Sequence, residues 1–354
     1  MFFQLLSQFL YFITFQFVHN SRTKNKRARQ NRARSYKSKK KRNLGRSTIE
    51  QLFHDEDDGE LMKHIRLSVQ QFQNLFNLTY EDKYAPETWR KILFITLCFC
   101  AKTLDQEIIG TLCGCTQPYV SWSLRVGLKS IEGALKDYLK WPETEDEWEE
   151  IKDGFRSLSK GLENICGSID GSLISINRPP LDIQFAREFY CRKGFPALNI
   201  TVIASFDKTF LYMYANSPGS KNDLFVLRHS SLKLNLQDGT MMLPDLGFLL
   251  GDQIYPNLGI LRPVLENVER ELQAENTKLK LARQIVERAF ALLKCRWRVL
   301  NNKDGEIKLE ICDIPLLVTV CILLHNWTIK MGYIDYTYET QEMADFVNDC
   351  EHET

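Results

Sequence analysis

What the sequence has least of is net charge: 46 Lys and Arg stand against 45 Asp and Glu in 354 residues, for a formal charge of +1. The balance excludes no charged partner, because it holds only on average. Residues 1–20 contain no Lys, Arg, Asp or Glu, and residues 21–46 contain thirteen Lys or Arg and no acid. Setting those thirteen aside leaves residues 47–354 with a charge of −12, so a basic arm precedes an acidic body. Also missing are positive residues ahead of the apolar stretch 1–18, MFFQLLSQFLYFITFQFV. A secretory signal carries them before its apolar run; here they follow it. Gln4, Ser7, Gln8, Tyr11 and Thr14 fall on one helical stripe, which favours an amphipathic helix over a membrane span. The ten cysteines lack the wider pair spacing of most zinc sites. Cys98 and Cys100, and Cys113 and Cys115, are C-x-C pairs among apolar neighbours, and read as small core residues in a reducing compartment.

With 44% hydrophobic and 26% charged residues the composition is that of a globular protein with a sizeable core. We divide the chain into an apolar then basic arm (1–46), a helical region (47–150), an α/β domain (160–332) and an acidic tail (333–354). The tail has seven acids and no Lys or Arg, a composition that predicts disorder. In the arm, Lys24–Arg29 and Lys37–Arg42 are two basic clusters with the spacing of a bipartite nuclear import signal. The same charges would bind phosphate backbones without sequence preference.

The helical region shows apolar residues at helical spacing from Leu61, and a strongly apolar, buried helix from Trp89 to Ala101. A short helix over 105–113 then meets a turn at Gly114. Thr116 is the expected cap of a second helix, with Pro118 tolerated in its first turn. That is helix-turn-helix spacing, and Gln117 and Arg125 would face DNA. A packing corner explains the same spacing, and both readings stand.

In the second half the rhythm becomes strand, strand, strand, helix, strand, helix. Ile165–Ile176 reads as a strand buried on both faces, and Asp170 lies inside it. A carboxylate there is costly to bury unless it is paired or holds a cation. Ala197–Phe206 and Thr209–Ala215 are two more strands, turned at Asp207-Lys208. Ser220 is the expected cap of the helix that follows, and Gly247–Tyr255 holds a short strand ending at Asp252. This order predicts an α/β fold of the ribonuclease H-like type, a mixed sheet flanked by helices, with the Asp170 strand beside the Asp252 strand. Val286, Phe290, Leu293 and Trp297 form the core stripe of a long helix over 279–300. Glu287 sits at the edge of that stripe, on the face of Arg283 and Lys294. Asp170, Asp252 and Glu287 together would hold two Mg²⁺ or Mn²⁺ ions. Asp223 is a weaker fourth ligand, because an acid in the first turn of a helix already suits the dipole.

Six segments in order carry a resemblance: Gly167–Gly171, Tyr190–Gly194, Pro218–Asp223, Leu250–Pro256, Val286–Lys294 and Leu324–Asn326. They resemble the PIF/Harbinger transposases and the Harbinger-derived nucleases. The resemblance implies a DDE endonuclease whose catalytic acids are Asp170, Asp252 and Glu287, with Arg192 and Lys193 on DNA phosphates. It also implies nuclear action, with cytoplasm as the alternative. The implied partners are DNA, a Myb/SANT-like DNA-binding protein and further copies of the chain. Three positions depart from the family pattern: Asn222 replaces a His, Ile254 a Gly and Ala291 a Gly. A β-branched Ile254 predicts an altered backbone just past Asp252. A domesticated, non-catalytic DNA-binding or scaffolding protein is the alternative function. His325, after the apolar helix from Ile314, reads as a structural histidine.

Overall fold

The computed structural model describes residues 58–179, 186–265, 269–302 and 305–333. The apolar start, the basic arm with its import signal, and the tail beyond Tyr333 lie outside the described residues. Helix α1 is Asp58–Ile65 and α2 is Val69–Thr79. Ser68 and Gln71 close a reciprocal capping box on α2. Helix α3, Pro86–Ala101, is buried on nearly every side from Trp89 onward, as its all-round apolarity requires. Helices α4 (Gln106–Leu112) and α5 (Gln117–Leu135) meet at a corner where Gly114 takes φ +60°. Thr116 holds the cap position of α5, but its side chain makes no capping hydrogen bond. Helix α6, Glu145–Leu158, starts with a second capping box, Thr144 with Glu147.

The sheet has five strands: β1 Ile165–Ser175, β2 Ala197–Ala204, β3 Phe210–Pro218, β4 Phe248–Gly251 and β5 Leu261–Pro263. Their order is β3-β2-β1-β4-β5. Strands β1, β2 and β3 are antiparallel, while β1 with β4, and β4 with β5, are parallel. The α/β fold with β1 beside β4 is therefore the ribonuclease H-like arrangement that the element order predicts. The sequence reading does not include β5, which sits at the sheet edge, where its proline is tolerated. Between the sheet strands lie α7 (Asp223–His229) and α8 (Ser231–Asp238). Asn222, not Ser220, caps α7, its side chain accepting from the Phe225 N–H at 2.9 Å. The long helix α9 runs Gln273–Arg296, and α10 runs Ile314–Lys330.

One apolar core joins α1–α5 to α9, α10 and strands β1–β3, from Leu61 through Leu124 to Val202, Phe290 and Leu324. A second core lies where α6 covers β1 and β4, with Trp148, Phe155, Ile169 and Leu249. Among the described residues one stretch, Ile311–Lys330, is long and apolar enough to cross a membrane, yet 67% of it is buried inside the protein. It is the central helix of the first core. His325 and Asn326 on α10 anchor the β2–β3 hairpin: His325 Nε2 lies 2.9 Å from the Lys208 carbonyl. Asn326 accepts from the Phe210 N–H at 2.8 Å, and donates to the Phe210 and Tyr138 carbonyls at 2.7 Å each. His325 is thus the satisfied structural histidine that the sequence predicts.

Candidate active site

The parallel register of β1 and β4 decides which acids meet. Ser168 is level with Leu250. Two residues further along β1 comes Asp170, on the same side of the sheet as Ser168 by the two-residue alternation of side chains, and Asp252 follows directly after the end of β4 at Gly251. Ser168 marks what that side faces: its hydroxyl donates to the Arg283 carbonyl on α9 at 3.2 Å. Ser172, two residues past Asp170, accepts from Lys294 Nζ on α9 at 2.7 Å. Asp170 therefore faces the stretch of α9 between Arg283 and Lys294. Glu287 lies on that stretch.

The charges there are arranged around Arg283. Its guanidinium lies 4.0 Å from Asp170 Oδ2 and pairs with Glu287, one turn along α9. Asp170 Oδ1 accepts from the Gly171 N–H at 2.8 Å. Burial nevertheless pushes the Asp170 carboxyl up to about 7, with Asp223 and Glu287 adding to the rise and Arg283 opposing it. About one fifth of its side chain stays exposed, which tempers the effect of burial. Asp252 follows β4 and turns the chain: its carboxylate accepts from the Ile254 N–H at 3.1 Å, and its carbonyl from the Tyr255 N–H at 3.1 Å. Ile254 does not occupy a positive φ.

Asp223, the first residue of α7, comes over β1 where it has no side chain: a Cβ on Gly171 would collide with the Asp223 carboxylate. Asn199 of β2 donates to Asp223 Oδ1 at 2.9 Å. Burial, and after it the negative charges of Asp223, Asp170 and Asp252, hold the Tyr255 hydroxyl well above its ordinary range. Asn199, Ser172 and Tyr255 escaped the sequence reading. A polar residue inside the apolar run of β2 is the signal that could have found Asn199.

The donor set consists of carboxylate oxygens, and burial keeps one of them, that of Asp170, from ionising readily. Such a set fits a hard divalent cation. The oxygens of Asp170, Asp252 and Glu287 are not drawn together within 4.8 Å. Among the described residues that spacing is met by Glu310, Cys312 and Asp313. Arg125 of α5 already pairs with Asp313 at 3.4 Å and with Glu310 at 3.7 Å.

The remaining predicted residues stand apart. Arg192 and Lys193 are exposed on the turn closed by Gly194 ahead of β2. That turn lies beyond Ala197, the start of β2, which is itself about 17 Å along the strand from the level of Asp170, paired with Val202. Gln117 is exposed at the start of α5 and donates to Gln106 of α4 at 2.7 Å. Lys294 is buried against the sheet, 8% exposed.

The profile of the DDE superfamily endonucleases matches residues 169–326. A protein of Arabidopsis thaliana named "Protein ALP1-like" is 30% identical over 253 residues, 67% of this chain and 59% of that protein. "Putative nuclease HARBI1" of Rattus norvegicus is 23% identical and that of Homo sapiens 24% identical, each over 229 residues, 64% of this chain and 63% of the relative. The matches thus span about three fifths of the length of these relatives. No solved structure matches the chain.

Proposed function

Because the chain belongs to the DDE superfamily endonucleases, among the Harbinger transposase-derived nucleases, we propose that it is a divalent-metal-dependent nuclease that cuts DNA phosphodiester bonds. The single observation that carries this reading is that Asp170 on β1 faces Arg283 and Glu287 of α9, while β4, the parallel neighbour of β1, leads directly into Asp252. Asp170, Asp252 and Glu287 would hold Mg²⁺ or Mn²⁺, with Asp223 close by. When bound, such ions supply an activated water or 3′-hydroxyl and stabilise the leaving oxygen of an in-line displacement.

The protein's own groups have separate tasks. The Gly171 N–H orients the Asp170 carboxylate. Arg283 supplies positive charge between Asp170 and Glu287 in the metal-free state, and its exposed side is free to turn to a substrate phosphate. Lys294 brings a second cation to the same face through Ser172. Arg192 and Lys193 extend a basic track away from the acids and suit the DNA backbone. Gln117 and Arg125 are further contacts in this reading. The basic arm would add non-specific affinity and direct the protein to the nucleus, where a Myb/SANT-like protein could supply sequence recognition.

One observation favours the non-catalytic reading: Arg283 stands where a cation would, pairing with two of the three acids. The test is Mn²⁺-dependent nicking of plasmid DNA by the wild type beside Asp170→Asn and Glu287→Gln. Loss of nicking in both variants supports the nuclease. Equal nicking in all three removes the acids from the chemistry, and DNA binding without any nicking supports the domesticated scaffold.

A further inference from the structure

Arg283 spends its two terminal nitrogens on two different acids. Nη1 lies 4.0 Å from Asp170 Oδ2, and Nη2 pairs with Glu287 Oε1. Those acids stand on different elements, β1 and α9, so the guanidinium bridges sheet and helix. A divalent cation held by Asp170 and Glu287 draws on the same two carboxylates. Two cations crowded onto them repel each other. Arg283 and such an ion are therefore competitors.

The arginine is placed to give way. Its side chain is 23% exposed and that of Glu287 47% exposed, and an ion pair of this kind on a helix surface contributes little. Lys294 on the same helix is different: it is buried, and its Nζ donates to the Ser172 hydroxyl at 2.7 Å. Lys280 is exposed and lies three residues before Arg283 on α9, so the two share one face of the helix. Neighbouring cations on an exposed face suit an anion, and the guanidinium fork matches the paired oxygens of a phosphodiester.

We propose that Arg283 is a latch on the acidic centre that a DNA phosphate releases: in the free protein it bridges Asp170 and Glu287, and on DNA it turns to a backbone phosphate beside Lys280 and leaves both carboxylates to the divalent cation. The inference rests on the metal-dependent reading above. The pairing of Arg283 with two acids is then its resting position. DNA and metal bind cooperatively, each raising the affinity for the other by the same factor, because linkage is reciprocal.

The test begins with Mn²⁺ binding by calorimetry to the full chain without DNA. Wild type is compared with Arg283→Gln, and Asp170→Asn marks the share of the heat that belongs to the acids. The affinity of wild type and Arg283→Gln for a short fluorescent duplex is then read by anisotropy, with and without Mn²⁺ at one ionic strength. Couplings between sites are typically about 5–150-fold, so Arg283→Gln is expected to bind Mn²⁺ about tenfold more tightly than the wild type. Mn²⁺ should raise the DNA affinity of the wild type by about the same factor and leave that of Arg283→Gln nearly unchanged. Binding of Mn²⁺ by Arg283→Gln alone supports the latch as well. Equal or weaker Mn²⁺ binding by Arg283→Gln, beside normal binding by the wild type, overturns the latch and leaves the metal-dependent reading standing. So does a wild-type DNA affinity that Mn²⁺ does not raise, an outcome that needs no variant to fold. No Mn²⁺ binding by either protein, with or without DNA, overturns the latch together with the metal-dependent reading.

Discussion

Asp170 carries opposite burdens in the metal-free and the working protein. Its carboxyl titrates near 7, against an ordinary value near 3.8, because burial disfavours the charge. Between those two values the native protein keeps a proton that the unfolded chain releases. Stability contributed by Asp170 is therefore lost as pH rises from about 4 to about 7, and stays low above that. Asp170→Asn removes the penalty. In EDTA at pH 8 the variant should be more stable than the wild type by on the order of 2–4 kcal/mol, and the difference should vanish below pH 4. Urea unfolding at the two pH values measures this. A variant less stable at pH 8 would mean that the Arg283 pairing outweighs burial. On the metal-dependent reading proposed above, excess Mn²⁺ should reverse the order, because the amide of the variant is a poorer ligand than the carboxylate.

At the scale of elements, α10 holds the β2–β3 hairpin through a histidine that cannot be protonated in place. Burial lowers the His325 imidazole to about 3 from its ordinary 6.5. Here the unfolded chain binds the extra proton between those values. The stability of the docked hairpin is thus complete above pH 6.5 and falls as pH drops towards 3, by on the order of a few kcal/mol. His325→Gln should flatten the slope over that window while lowering stability at pH 7. A slope equal to that of the wild type, read from urea midpoints between pH 4 and 7, would place the titration elsewhere. The structural role of His325 was legible in the sequence from the apolar run Ile314–Leu324 before it, but the hairpin it holds was not, and the helix continues past it to Lys330. The pairing of β1 with β4 was legible too, since the buried runs around Asp170 and before Asp252 leave few other places for two strands. Less regular pieces were not legible. β5 is three residues long with a proline, too short to show a period. The first turns of α9, Gln273–Lys278, carry no apolar stripe, so the helix read as starting at 279. The cap of α7 moved from Ser220 to Asn222 because both residue types cap equally well, and only the approach of Asp223 to Gly171 fixes the register. Tyr255 was hidden for another reason: nothing in its neighbours' types says that its hydroxyl will be buried without a partner.

For the whole molecule, the helical region and the sheet are not separately provisioned with apolar contacts. Leu93 of α3 and Leu128 of α5 share one core with Ile200, Phe290 and Leu317. Polar ties cross the same boundary: Thr103 donates to the Arg298 carbonyl at 3.2 Å, and Lys308 pairs with Asp105 at 2.7 Å. α10 itself packs against both α5 and β3. Removing the helices would expose one long flank of α10, on the order of ten apolar side chains at roughly 1.5–3 kcal/mol each. That exceeds the 5–15 kcal/mol by which an ordinary domain is stable. We therefore expect the described chain to unfold in one transition, with tryptophan fluorescence and far-ultraviolet circular dichroism superimposing across urea. A fragment covering residues 160–332 alone should show no cooperative transition and should not bind Mn²⁺. Two separated transitions, or a fragment that unfolds cooperatively, would show that the α/β half stands by itself. The single transition has a functional corollary: a cavity far from the acids, such as Leu128→Ala in α5, should lower the midpoint for the acidic centre as much as for the helices.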